Sequence, residues 1–321
     1  MPAFRRARLG ATTLHDGKIR IGTRGSPLAL RQANEVRERL VAAHGPNQHV
    51  FEICPFKTTG DRIQDRPLAD AGGKGLFTKE IEEALLAESV DIAVHSMKDM
   101  ATELPKGLAV TCILPREDVR DAFISLKAQS LRELPGGSVV ATASLRRQAQ
   151  VKHLRPDVTV VPMRGNVETR LRKLEAGEAD ATLLAMAGLK RLGLTHRATC
   201  AIPVEDMLPA AAQGAIAIEI RAADEAMARL LTPINDQATA LAVTAERAFL
   251  AKLEGSCRMP IAALGQLIEG RLSFRGMILS PDGTLCYATI REGAPAEAIL
   301  LAEDAAAELI GRAGPAFFST L

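Results

Sequence analysis

The chain has 321 residues, 47% hydrophobic and 24% charged, the balance of a folded protein long enough for two or three domains and not of a disordered chain. Forty basic and 38 acidic residues leave a formal charge of +2, so no overall field recruits nucleic acid or a membrane surface. Aromatic residues make up 3%, with no Trp and one Tyr, too few for a base-stacking platform, and no apolar run is long enough to span a bilayer.

Arg5, Arg6 and Arg8 have no apolar segment behind them, so residues 1–17 read as a loose basic tail and not as a secretory signal. Lys18–Thr23 reads as a strand. Ser26 and Pro27 then mark a helix start, and Ala29, Ala33, Val36 and Leu40 form one apolar stripe behind them. Strands are expected at about 50–57, 91–95 and 108–114, with a helix over 77–88. Further strand–helix units start near 138, 158 and 180, and one more strand covers 215–220. This alternation predicts an α/β fold of parallel or mixed sheets with helices on both faces. Pro115 and the segment Pro203–Pro209 mark crossings between two lobes. The expected division is 18–114 with 215–234 as the first lobe and 115–214 as the second.

After about residue 235 the pattern changes. A helix over 239–253 stops at Gly255, and strands follow at 261–268, 271–279 and 284–290, the last two joined through Pro281-Asp282-Gly283. A closing helix covers about 296–312. Residues 235–321 therefore read as a smaller C-terminal α+β domain. The five cysteines include no Cys-x-x-Cys pair, which fits a reducing compartment, hence a cytoplasmic protein, and argues against a disulfide framework or a cysteine zinc site. The six histidines show no metal spacing, so no metal is expected.

Ligands of open α/β sheets bind beyond the carboxyl ends of the strands, where helix N-termini point. In this chain those positions hold Thr23-Arg24-Gly25-Ser26, His95-Ser96-Met97-Lys98-Asp99, Thr142-Ala143-Ser144-Leu145-Arg146-Arg147 and Arg164-Gly165-Asn166. Ser26, Ser144 and Asn166 can each cap the helix that begins there. Arginines and capping hydroxyls together suit carboxylate or phosphate ligands, so the pattern predicts a cleft for an anion of several charges. Asp99 stands out as an acid among bases: it either neutralises a neighbour or supplies a fixed negative charge opposite a developing cation. Gly72-Gly73-Lys74-Gly75 lacks the spacing of a nucleotide-phosphate loop and reads as a lid or hinge. Cys54, Cys112 and Cys286 sit in strand-like apolar contexts. Cys257, just past a helix end and beside Arg258, is either an incidental loop thiol or an available nucleophile.

Seven segments, taken in order, resemble the porphobilinogen deaminase (hydroxymethylbilane synthase) family over about residues 18–312. They are Arg24-Gly25-Ser26-Pro27-Leu28-Ala29-Leu30, Gly72-Gly73-Lys74-Gly75-Leu76-Phe77 and Asp91-Ile92-Ala93-Val94-His95-Ser96-Met97-Lys98-Asp99, then Ser144-Leu145-Arg146-Arg147-Gln148, Arg164-Gly165-Asn166-Val167 with Thr169-Arg170-Leu171, Ala187-Gly188-Leu189-Lys190-Arg191-Leu192-Gly193, and Leu253-Glu254-Gly255-Ser256-Cys257. The resemblance implies two lobes like those of periplasmic binding proteins, with the cleft between them, and a C-terminal domain carrying the cofactor cysteine. It implies a transferase of tetrapyrrole (porphyrin and heme) biosynthesis that condenses four porphobilinogen molecules head to tail into hydroxymethylbilane, releasing ammonia at each step. The cofactor implied is dipyrromethane, held by a thioether on Cys257.

In the same resemblance Asp99 is catalytic. It bonds pyrrole N–H groups and stabilises the cation formed when ammonia leaves. Ser96, Lys98, Thr142, Ser144, Arg146, Arg147, Arg164, Gly165 and Asn166 are implied to hold the cofactor with Cys257 and Asp99, while Arg24, Ser26, Lys74, Arg170, Arg191 and Gln213 are implied to bind substrate. A monomer that passes its product to uroporphyrinogen-III synthase is the implied setting. The chain departs from the family at Ala141 and Ala143, at Met100-Ala101, where a looser hinge is expected, and at Ser256. A non-catalytic two-lobed binder of small anions is the competing expectation. It accounts for the strand-end arginines but needs neither Asp99 nor Cys257.

Overall fold

The structure, a computed structural model, describes residues 17–62, 75–253 and 260–319. Lys74, Gly255, Ser256, Cys257 and the basic tail through residue 16 lie outside the described residues. Elements follow in the order β1 (Lys18–Arg24), α1 (Pro27–His44), β2 (Val50–Phe56), the short α2 (Thr59–Arg62), α3 (Lys79–Leu86), β3 (Ile92–Ser96) and β4 (Leu108–Ile113). After a crossing come β5 (Asp121–Ser125), β6 (Val139–Ala141), α4 (Leu145–Leu154), β7 (Thr159–Val161), α5 (Val167–Glu175), β8 (Ala181–Ala185), α6 (Met186–Arg191) and β9 (Cys200–Ala201). A second crossing returns to β10 (Ile216–Arg221) and α7 (Glu225–Leu231). Then follow α8 (Gln237–Leu253), β11 (Ile261–Ile268), β12 (Arg271–Leu279), β13 (Cys286–Gly293) and α9 (Ala298–Ser319).

The strands form two five-stranded mixed sheets, ordered β2-β1-β3-β10-β4 and β7-β6-β8-β5-β9, and an antiparallel three-stranded sheet β11-β12-β13. The two larger sheets share one plan. Three parallel strands lie side by side, and one antiparallel strand is inserted beside the third. The inserted strands are β10 and β5, the strands on which the chain arrives from the other lobe. The fold is thus α/β with two mixed-sheet lobes and a smaller C-terminal α+β domain. Each sheet builds its own core: Ile19, Ile21, Leu40, Ile92 and Ile218 in the first, Phe123, Val140, Val151 and Leu183 in the second. In the third, Phe249 of α8 and Phe274 of β12 meet with ring centroids 5.3 Å apart.

The helix starts obey local chemistry. Ser26 accepts from the Ala29 N–H at 3.4 Å, Ser144 from that of Arg147 at 3.4 Å and Asn166 from that of Thr169 at 2.8 Å, so each side chain satisfies an otherwise open donor. Elements absent from the sequence reading are β5, β9, α7 and the one-turn α2. The first of these opens on a charged residue, Asp121, although the strand is buried, and a two-residue strand such as β9 carries no periodicity at all. The last helix runs on to Ser319 through a break at Gly314, where φ is +70°. Among the described residues no helix is long and apolar enough to cross a membrane.

Both crossings converge on α8. Arg116, just past β4, donates to Glu246 of α8 through both terminal nitrogens, at 2.6 and 2.9 Å, and through Nε to the Gln213 carbonyl at 2.9 Å. Glu246 is fully buried and also accepts from the backbone N–H groups of Ala212 and Gly265. The two crossing segments pass so closely that a Cβ on Gly214, where φ is +90°, would stand 2.5 Å from the Glu117 carbonyl. Arg247, also on α8, donates to the carbonyls of Ala101 and Thr102 at 2.6 and 3.0 Å, and Met100 is buried. The Met100-Ala101 segment, expected to be a looser hinge, is braced by these contacts.

Candidate active site

The parallel strands of both lobes end on one cleft. On the first-lobe side Arg24, Ser26, Gln32, Phe77, His95, Ser96, Lys98 and Asp99 line one pocket. β1 delivers Arg24 and β3 delivers Ser96, after which a single 3-10 turn (Met97–Asp99) turns Lys98 and Asp99 outward. Ser96 is fixed by Gln32, with their side-chain atoms 2.9 and 3.1 Å apart. Arg24 is gripped by Asp61, lies 4.1 Å from the centre of the Phe77 ring and brings one nitrogen to 4.0 Å from Asp99. Asp61 is pulled below the usual carboxylate range: burial opposes this, but bonds from Arg24 and Thr58 outweigh it.

The second lobe contributes a pair of buried arginines around a carboxylate. Asp121 is fully buried at the start of β5, with Arg147 at 2.7 Å and Arg146 at 2.8 Å. Burial alone would push the Asp121 carboxyl up, but the two guanidinium groups hold it far below its ordinary range. Burial lowers Arg146, and among the described residues its Nε has no hydrogen-bond partner. Gln213 ties the lobes together. Its amide donates to Asp121 at 3.0 Å, and its carbonyl oxygen accepts from Lys98 at 3.3 Å.

Lys98 opens onto the cleft, yet the protein around its ammonium, chiefly by desolvation, brings its pKa down to about 8, with Asp99 opposing and Arg147 adding to the fall. Arg170, whose Nε donates to the Gly165 carbonyl at 2.8 Å, is lowered to about 10 by burial and by the fields of Arg147 and Arg164, against that of Asp99. Asp99, Lys98, Arg146, Arg147, Arg164 and Arg170 thus act on one another across the cleft. At the start of α5 the backbone must come close: Gly165 has φ +123°, and a Cβ there would meet Thr169 at 2.7 Å. Thr142 is buried and accepts from the Ser144 N–H at 3.2 Å, while Ala143 is exposed.

Arg191 stands elsewhere. Its Nε lies 3.2 Å from Glu35 of α1, and a terminal nitrogen donates to the Gly214 carbonyl at 3.0 Å, so it joins α6 to α1 across the lobes. Asp121, Asp61, Gln32 and Phe77 were missed from the sequence. Asp121 carried the one usable signal: a charged residue opening an apolar strand is a buried charge that needs a partner. Cys112 is buried, with its thiol pushed up to about 12 by desolvation, whereas Cys54 and Cys286 are only half-buried. Among the described residues no group of His, Cys, Asp and Glu could hold a metal ion.

This arrangement can hold a molecule bearing several carboxylates and set one carboxylate against a cation. Because desolvation lowers Lys98 to about 8 in the empty cleft, binding of a carboxylate ligand to the cofactor-free protein is expected to weaken as pH rises through that value. The Kd of the cofactor-free protein for porphobilinogen, followed from pH 7 to 9, is expected to climb about tenfold, and Lys98→Arg, which keeps its charge, to flatten the curve. A wild-type Kd that is level over this range excludes a role for the Lys98 charge in this binding.

Residues 19–229 match the family model described as porphobilinogen deaminase, dipyromethane cofactor binding domain, and residues 240–311 match the porphobilinogen deaminase C-terminal domain. The chain is 60% identical over 299 residues to a porphobilinogen deaminase of Nitrobacter hamburgensis, covering 93% of this chain and 95% of that one. It is 58% identical to one of Paracoccus denitrificans (94% and 96% covered) and 56% identical to a chloroplastic one of Oryza sativa (94% and 86%). Among solved structures, a TRAP periplasmic solute binding protein from Desulfovibrio salexigens aligns with a TM-score of 0.40 at 12% identity, covering 94% of this chain and 95% of that one.

Proposed function

Because the chain belongs to the porphobilinogen deaminase family, we propose that it joins four porphobilinogen molecules head to tail into hydroxymethylbilane, with loss of ammonia, on a dipyrromethane cofactor bound through Cys257. The observation that carries this reading is the meeting of Asp99 with a row of cations from both lobes. The chemistry of the donor set fits the cofactor. Each pyrrole ring carries an acetate and a propionate, and Lys98, Arg146, Arg147, Arg164 and Arg170, with the capped helix starts at Ser144 and Asn166, are donors suited to carboxylates. When bound, dipyrromethane supplies the pyrrole carbon on which the product starts and tethers it in the cleft.

Asp99 accepts hydrogen bonds from pyrrole N–H groups and faces the positive charge that develops on porphobilinogen as ammonia leaves. Arg24, with Ser26 and Ser96 beside it, takes the side-chain carboxylates of the incoming molecule, each charge-assisted bond contributing about 1.5–3 kcal/mol. Arg147 and Arg146, already neutralised in part by Asp121, present a semi-rigid donor surface, because their guanidinium planes are fixed from behind. Thr142, Gly165 and Asn166 hold the backbone around these donors. Lys74 and Cys257, outside the described residues, are assigned their roles on the family pattern alone, and Arg191 would have to leave Glu35 to reach substrate.

The domain division 18–114 with 215–234, 115–214 and 235–321 is part of this reading, supported by the distribution of strands over the three sheets. So is a cytoplasmic monomer handing its product to uroporphyrinogen-III synthase. Free Cys54, Cys112, Cys200 and Cys286 support a reducing compartment.

Intact mass followed by peptide mapping tests the proposal. Purified protein is expected to carry two porphobilinogens less two ammonias, located on the peptide containing Cys257. A Cys257 that stays unmodified after incubation with porphobilinogen excludes the transferase and leaves a binder of small anions.

A further inference from the structure

Behind Asp99 lies a buried group of titratable side chains that the reading above does not use. His95 precedes the Ser96–Asp99 turn on β3, and its side chain is 3% exposed. One ring nitrogen, Nε2, stands 3.0 Å from Oε2 of Glu219 on the neighbouring strand β10. Glu219 is fully buried, and among the described residues its other oxygen, Oε1, has no hydrogen-bond partner. Glu82 of α3 belongs to the same group, raised by burial and by the charge of Glu219, with the Thr78 hydroxyl and the field of His95 opposing. His95 also lines the pocket that holds Lys98 and Asp99, and among the described residues its second nitrogen, Nδ1, makes no hydrogen bond.

The reaction proposed above makes a second demand besides a fixed charge at Asp99. Each joining of two pyrrole rings releases one proton from the ring carbon that gains the new bond. A proton on Asp99 would cancel the charge it holds opposite the cation, so a separate base leaves Asp99 ionised throughout the cycle. Arg24 has no free lone pair, and carboxylates bound at Lys98 keep its ammonium charged. Ser26, Ser96, Gln32 and Thr78 are poor bases. His95 is the pocket group with a basic nitrogen to spare, and it has the buried carboxylate behind it that holds an imidazole in one tautomer and stabilises it once protonated.

We propose that His95, oriented by Glu219, is the base that takes up the ring proton at each carbon–carbon bond formation. The C–H bond breaks, and its electron pair stays with the ring and restores its aromaticity. The proton goes to Nδ1 and then to the ammonia freed in the same cycle, which leaves as ammonium. Glu219 accepts the Nε2–H throughout and acts as a positioning residue.

This inference rests on the transferase reading, and the test separates the two. Wild-type holoenzyme must release ammonia from porphobilinogen; if it does not, the transferase reading fails first. His95→Gln holoenzyme is then assayed with porphobilinogen carrying deuterium at its free ring carbon. A loss of about 100- to 1000-fold in turnover is expected, with a primary deuterium effect that wild type lacks. Nitrogen-15 imidazole spectra of the cofactor-free protein supply a readout independent of turnover: Nε2 protonated, Nδ1 bare, and both signals gone in the variant. Glu219→Gln, which keeps a hydrogen-bond acceptor for Nε2, serves if His95→Gln does not fold, and is expected to show a smaller loss with the same deuterium effect. Turnover within threefold of wild type, a slow variant without a deuterium effect, or a proton found on Nδ1 instead of Nε2 overturns the assignment.

Discussion

Asp99→Asn is expected to fold, to carry its cofactor and to turn over at least about a hundredfold more slowly. Asparagine keeps the size of the side chain and an oxygen able to accept a pyrrole N–H, so binding suffers little. What disappears is the negative charge, and the charge matters most where the substrate gains a positive one. Close to Asp99 stand cations: Arg24 lies 4.0 Å away, Lys98 is its neighbour, and Arg170 senses it across the cleft. Asp61 and Asp121 are already paired with arginines, so removing the Asp99 charge leaves a developing cation facing cations, which raises the barrier to ammonia loss and not the cost of binding. The rate of ammonia release under saturating porphobilinogen measures this, with intact mass confirming that cofactor is present. A variant within threefold of the wild-type rate sinks the role given to Asp99.

Arg116→Ala is expected to lower stability by about 3–5 kcal/mol, because it strands the fully buried Glu246 carboxylate without its counter-charge. The loss spreads beyond one bond. Arg116 also holds the Gln213 carbonyl, and Gln213 in turn bridges Lys98 to Asp121, so both crossings and the cleft share this anchor. A fall in Tm of about 4–7 °C follows from that energy in a chain of this size. Arg116→Lys keeps the charge but not the two-pronged geometry, and is expected to recover only part of the loss. Thermal unfolding by circular dichroism measures both variants. A change below 2 °C for Arg116→Ala would show that the buried Glu246 carboxylate does not depend on this counter-charge.

The sequence by itself determined the local elements and the identity of the groups at the strand ends. Ser26, Ser144 and Asn166 cap the helices they were expected to cap, because a cap needs only the N–H three residues ahead. The apolar stripe of α1, the strands through β8 other than β5, and the run Ser96–Asp99 follow from neighbours within one or two turns of chain, and such information is wholly local. Partners of charges are another matter. Arg147 finds Asp121 26 positions away, Arg116 finds Glu246 at 130 and Arg191 finds Glu35 at 156, distances over which no periodicity survives. Strand order also escaped. β5 and β10 are read from sequence as ordinary strands or not at all, yet each is inserted antiparallel into the sheet it enters, and that insertion brings Asp121 beneath the arginines and Glu219 beneath His95. Which cations face the cleft and which are spent on internal carboxylates was decided by the tertiary structure, since a buried charge is stable only where the fold delivers its counter-charge.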